Sequence, residues 1–284
     1  FFLHSALAAT DTRDVGRRRG VAGAGVPTPL KVLGHIAGAP DVLDHSADIY
    51  KYFRALAAAT PRVQVFSIGP TDEGREMIAA AVSSEENMGR LARLKEIMAR
   101  LADPRGMKDE DAAKLVAEGL PIYWITGGLH SMETGSPEMM MELAYRLAVE
   151  DSETIKSIRK NMVVLMTPIQ EVDGWDKTVD AYLYKKDNKD KKPLPPVYWG
   201  KYVFHDNNRD AIGMGLKLTE NMVKTYFTVF PEALVVKCAA SLNSLVLALP
   251  SRTGLAVRAW AEKAAAFEKA HPTGLDLPKL ILQG

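Results

Sequence analysis

The 284-residue sequence contains a single cysteine, Cys238. One thiol cannot close an internal disulfide or build a cysteine-rich zinc knuckle, and its ordinary use is as a small buried residue. No apolar run reaches the ~20 residues that a membrane-crossing helix needs. Charge of one sign is also lacking: 36 basic and 35 acidic residues leave a formal net charge of +1. There is thus no global field to draw in nucleic acid or an anionic membrane. No internal repeat is visible. What is present is a composition of 47% hydrophobic and 25% charged residues, which suits a packed globular core. The length suits one large α/β domain or two small ones.

Residues 1–29 stand apart from the rest. Phe1 to Ala9 is short and apolar and ends in small residues, as does the tail of a secretory signal; an artefact of the chain's start reads the same way. The signal implies a secreted or periplasmic protein, whereas the artefact leaves the cytoplasm open. Residues 10–29 are rich in Arg, Gly, Ala and Pro without an apolar period, and Arg17 to Arg19 has no aromatic residue interleaved. The segment reads as a flexible leader rather than a nucleic-acid arm. The main domain is taken as 30–284.

Within it, Ile49, Tyr52, Phe53 and Leu56 fall on one face of a helix expected over 44–58. Val63, Val65 and Ile68 predict a strand, Pro70 to Gly74 a turn, and Met77 to Val82 a second strand of the same hairpin. Leu91, Leu94, Ile97, Met98 and Leu101 form the core-facing stripe of another helix, and Asp109 to Leu120 a further one. Pro121 to Thr126 predicts a buried strand. Ser136 is expected to cap the next helix with Pro137 in its first position, and Asn161 to Thr167 predicts a second buried strand. Residues 185–196 form a polar loop. A helix over 216–230, strands at 233–236 and 245–249, and a helix over 256–270 complete the chain. Strand, helix and strand in this order imply an α/β fold with a mixed central sheet flanked by helices on both faces.

The chemistry-bearing segment is Gly127-Gly128-Leu129-His130-Ser131-Met132-Glu133. It follows a predicted strand and precedes a helix, where open α/β sheets place their ligand sites. His130 and Glu133 can converge there on one metal ion, since imidazole nitrogen and carboxylate oxygen are both zinc ligands. Taken alone, the pair equally describes a surface histidine beside a helix-capping glutamate. Arg209 carries a rigid donor fork that fits a carboxylate in bidentate fashion; by itself it fits an ion pair with Asp206 or Asp210 as well. The Gly-x-Ser-x-Gly elbow of serine α/β hydrolases is missing.

Order gives these residues more weight. Ile68-Gly69 to Glu73-Gly74-Arg75, then Gly128-Leu129-His130-Ser131, then Thr167-Pro168 with Val172-Asp173-Gly174, then Asn208-Arg209-Asp210 resemble, in sequence order, the motifs of the M14 zinc carboxypeptidases. The runs Glu138 to Val149 and Tyr198-Trp199-Gly200-Lys201-Tyr202 to Asp210 are similar to a subgroup of large bacterial members. The resemblance spans roughly residues 30 to 236. It implies a zinc carboxypeptidase-like sheet of about eight strands and one Zn2+ ion held by His130 and Glu133. It also implies a substrate carboxylate held by Asn208 and Arg209, and as substrate the C-terminus of a peptide or protein. His205 lies where the subgroup has a histidine outside its metal triad, which implies a supporting role.

The chain departs from the family further on. A third ligand, a histidine, is expected after the strand at 233–236, but the residues there are Lys237-Cys238-Ala239-Ala240-Ser241, with Ala240 in the ligand's place. The general-base glutamate has no counterpart after Pro250; Glu262 and Glu268 fall on the solvated face of a predicted helix. Met132 stands where some carboxypeptidases carry an arginine. A chain truncated at its C-terminal end, a degenerate relative that binds peptide without cleaving it, and a substitute ligand in Cys238 each account for the gap. Two ligands predict weak zinc binding and slow hydrolysis.

Overall fold

The computed structural model describes residues 25–102, 106–195, 200–201, 205–210, 213–229, 234–237 and 244–247, with two isolated positions, 265 and 269. Expectations for the leader up to residue 24, for Cys238 and Ala240, and for most of the 256–270 helix lie outside these residues.

Helices α1 (Pro29–Leu33) and α2 (Ser46–Ala59) lead into strands β1 (Val63–Pro70) and β2 (Glu76–Val82). Helices α3 (Glu85–Gly89), α4 (Leu91–Ala102) and α5 (Asp109–Glu118) follow, then β3 (Ile122–Thr126), α6 (Gly135–Val149), α7 (Glu153–Asn161) and β4 (Val163–Thr167). Helices α8 (Val172–Asp187) and α9 (Lys217–Val229) come next, with a 3-10 turn at Asn207–Arg209 between them. The central sheet has the order β1-β2-β4-β3. β1 and β2 form the expected antiparallel hairpin, β4 is antiparallel to β2, and β3 runs parallel to β4 with Ile122 opposite Val163 and Thr126 opposite Thr167. The sheet is therefore mixed, as the alternation of elements requires.

Both faces of the sheet are covered, because β2 and β4 are apolar on both sides. On one face Ile78, Ala80, Val82, Val164 and Met166 pack with Ile49, Tyr52, Phe53 and Leu56 of α2, Met140 and Ala144 of α6, and Trp175 of α8. On the other, Ala79, Ala81, Val163 and Leu165 meet Leu94, Ile97 and Leu101 of α4 and Leu115 of α5. The stripes that predicted α2 and α4 are thus the residues those helices bury. Trp175 is wholly buried and donates its indole N–H to the Asp44 carbonyl at 3.0 Å, which satisfies the one polar group that the ring takes out of water.

Four of the eight or so strands that the resemblance implies are in the main sheet among the described residues; β5 (Leu234–Lys237) and β6 (Ser244–Leu247) pair antiparallel with each other as a separate two-stranded sheet. Two expectations need correction. β3 is not a buried strand: among the described residues it lies at the sheet edge with β4 as its neighbour, and Tyr123 is 47% exposed. Its apolar composition resembles that of β4, whose five residues are all buried, and composition alone does not separate edge from centre. Finally, Ser136 does not cap α6. The helix starts at Gly135 after Thr134, and the Ser136 hydroxyl has another task.

Candidate metal and carboxylate site

The site forms where β3 and β4 end. Gly127 passes so close to β4 that a Cβ there would lie 2.8 Å from the Pro168 carbonyl oxygen and 2.9 Å from Met140 Cε. Gly128 then adopts a φ of 55°, a left-handed conformation that favours glycine. Three hydrogen bonds fix this turn. Gln170 N–H donates to the Gly127 carbonyl and Glu171 N–H to the Gly128 carbonyl, each at 2.9 Å. The Ser136 hydroxyl accepts from Gly128 N–H at 2.9 Å and faces the Glu133 carbonyl at 3.3 Å. Replacing Ser136 with alanine should lower unfolding stability by about 1 kcal/mol, because one partly buried N–H loses its acceptor; denaturant titration measures it, and no change would show that the turn is held by the glycines alone.

The turn aims the next residues at one point. His130 Nδ1 lies 2.7 Å from Glu133 Oε1, and His130 N–H donates to Glu133 Oε2 at 3.1 Å. The imidazole's other nitrogen, Nε2, lies 3.5 Å from Asp206 Oδ1. Asp206 caps the 3-10 turn, its Oδ1 accepting from Asn208 N–H at 2.8 Å. The turn that carries Asn208 and Arg209 therefore abuts the His130–Glu133 pair. Asn208 and Arg209 are both exposed.

Arg209 makes no ion pair among the described residues, because each acid proposed as its partner is engaged elsewhere. Asp206 serves Asn208 and faces His130. Asp210, 2% exposed, accepts from His205 Nε2 at 2.6 Å and from the N–H groups of Gly215 and Leu216 at 2.9 Å each. Burial acts to raise the Asp210 carboxyl, but these donors, His205 first, outweigh it and hold it at about 2. His205 accordingly braces Asp210.

Among the described residues no cluster of three or more His, Cys, Asp or Glu side chains is arranged to hold a metal. The chemistry of the donor set still fits two of a zinc ion's ligands: an imidazole nitrogen and a carboxylate oxygen face each other, and both are zinc donors. A carboxylate behind the far imidazole nitrogen is the usual support for a metal-bound histidine. Sequence reasoning missed Asp206 in that place, weighing it only as a partner for Arg209; its position three residues before Arg209 was the available signal.

A family profile described as zinc carboxypeptidase, Peptidase_M14, matches residues 49–209, from α2 through the 3-10 turn. The chain belongs to this family. Among solved structures it is similar to carboxypeptidase A from Helicoverpa armigera, at 16% identity over 53% of this chain and 32% of that one, TM-score 0.36. It is similar to bovine thrombin-activatable fibrinolysis inhibitor, solved in complex with tick carboxypeptidase inhibitor, at 19% identity over 52% and 36%, TM-score 0.32. It is also similar to a Shewanella denitrificans protein provisionally assigned as a carboxypeptidase A, at 15% identity over 79% and 48%, TM-score 0.44. The chain thus spans a third to a half of the length of these structures. None of the curated proteins matches it.

Proposed function

We propose that this chain carries the metal and carboxylate-binding half of a metallocarboxypeptidase site, acting at the free C-terminus of a peptide. The observation that carries the reading is the meeting of the His130–Glu133 pair with the turn that bears Arg209. His130 Nδ1 and a Glu133 oxygen would hold one Zn2+, with Asp206 fixing the imidazole. When bound, zinc supplies Lewis acidity toward a peptide carbonyl and lowers the pKa of water. The protein's own residues select the substrate: the uncommitted guanidinium of Arg209 offers paired donors to a terminal carboxylate, and Asn208 beside it adds an amide donor. A peptide held by its end on this turn lies next to the His130–Glu133 pair, which is the proximity that hydrolysis near a chain end requires.

A second reading, favoured by Ala240 standing where the resemblance calls for a third ligand, is a peptide-binding protein that no longer cleaves. One experiment separates the two. The full chain is incubated with zinc and a peptide carrying either a free or an amidated C-terminus; binding and release of the last residue are followed together. Carboxylate-dependent binding with release supports the enzyme, and carboxylate-dependent binding without release supports the binder. Equal binding of both peptides contradicts both.

A further inference from the structure

Beneath the turn that carries Arg209 is a small cavity of about 10 Å³, lined by Glu171, Asp173, Asn207 and Leu216 among others. That is room for one water-sized sphere. Among the described residues, two side-chain oxygens of residues that line this cavity are buried without a hydrogen-bond partner: Glu171 Oε1 and Asn207 Oδ1. Their residues are 1% and 5% exposed. Both atoms are acceptors. Two buried acceptors on residues that line one small space call for a donor, because leaving either unsatisfied is costly.

The two residues belong to elements that the site joins. Glu171 caps α8: its Oε2 accepts from Gly174 N–H at 3.1 Å, and its own N–H donates to the Gly128 carbonyl of the metal-motif turn. Asn207 opens the 3-10 turn, buried while its neighbours Asn208 and Arg209 face outward. We propose that Glu171 is a positioning residue for the Asn207–Arg209 turn, acting across the cavity through one bridging water that donates to Asn207 Oδ1. The role rests on the reading of Arg209 as the carboxylate clamp; the bridge itself does not.

The bridge works in either protonation state, since a water can donate to an ionised carboxylate or accept from a protonated one while donating to Asn207. Burial raises the Glu171 carboxyl to about 7, with the Asp173 charge adding to the rise and the N–H groups of Gly174 and Gly200 and the Lys177 charge opposing it. Asp72, Lys201 and His205 are the other titratable groups lining the cavity. Titration of Glu171 near neutral pH therefore changes the field at Asn207 and gives the bridge a signature.

The test follows the side-chain amide resonance of Asn207 in the full chain by nuclear magnetic resonance. The resonance is assigned by its loss in Asn207→Ala. It should move with a midpoint near pH 7, and that movement should vanish in Glu171→Gln. In parallel, Glu171→Leu should weaken binding of a free-carboxylate peptide about tenfold, while Glu171→Gln, which can still bridge, stays within about twofold of the parent. An Asn207 resonance that is flat across the pH range in which the Glu171 carboxyl carbon resonance of the same folded chain titrates overturns the bridge. A moving resonance with a Glu171→Leu chain that binds the peptide as tightly as the parent overturns the positioning role. If the parent itself fails to prefer the free carboxylate, the clamp reading falls, and the positioning role with it, while the moving resonance keeps the bridge.

Discussion

Alanine at Asp173 should lower the free energy of unfolding by about 3 kcal/mol, the lower end of the cost of breaking a buried ion pair. The side chain is wholly buried at the start of α8. It accepts from the Thr71 hydroxyl at 2.7 Å, from Glu73 N–H at 3.1 Å and from Arg75 Nη1 at 2.9 Å. These bonds tie α8 to the turn of the β1–β2 hairpin. Arg75 also pairs with Asp176 at 3.0 Å and keeps a side chain 32% exposed, so solvent screens part of its loss. What is not screened is the lost acceptor of the buried Thr71 O–H, whose oxygen keeps only the Arg75 N–H at 2.9 Å. The segment at Gly200 adds a packing cost: a Cβ there would lie 3.1 Å from Asp173 Oδ2 and 3.2 Å from its Cγ, atoms that alanine lacks. Urea unfolding monitored by tryptophan fluorescence measures the change. A loss below about 1 kcal/mol would mean that the hairpin turn is held without the aspartate.

The second large effect concerns Arg209. Arg209→Ala should weaken binding of a peptide with a free C-terminus by about thirtyfold and leave binding of the amidated peptide nearly unchanged. Its exposure sets the figure below that for a buried pair. Unfolding stability should not change, because the guanidinium makes no ion pair among the described residues and Asp206 and Asp210 have other partners. Arg209→Lys should recover little, since an ammonium lacks the planar fork. Titration calorimetry with the two peptides checks both statements; equal loss for both would show that Arg209 contributes only general charge.

The fold was legible wherever a residue's role follows from its own segment. The stripe Ile49, Tyr52, Phe53 and Leu56 is buried because helical spacing puts those residues on one face, and the same holds for Leu94, Ile97, Met98 and Leu101. The hairpin follows from Gly74, which takes a φ of 84° in the turn. Roles set by distant partners were not legible. Ser136 has the chemistry of a cap, but Gly128, eight residues earlier, needs its oxygen. β3 and β4 are both apolar, and only the pairing shows that one is an edge among the described residues. Helix α8 starts at Val172 and takes in Asp173 and Gly174, read in the sequence as a motif, because the Glu171 side chain accepts Gly174 N–H as the cap. At the site the sequence brought forward His130, Glu133, Asn208 and Arg209. Asp206 behind His130 and Glu171 beneath the turn belong to contacts across 76 and 36 residues of chain, which local spacing does not encode.

The most direct test of the central claim is anomalous diffraction at the zinc absorption edge from crystals of the zinc-loaded full chain. One strong peak is expected beside His130 Nδ1 and the Glu133 carboxylate, with Asp206 still facing His130 Nε2, and no such peak in His130→Ala crystals. A zinc peak at another histidine–carboxylate pair, such as His35–Asp44 or His205–Asp210, with none at His130 would contradict it.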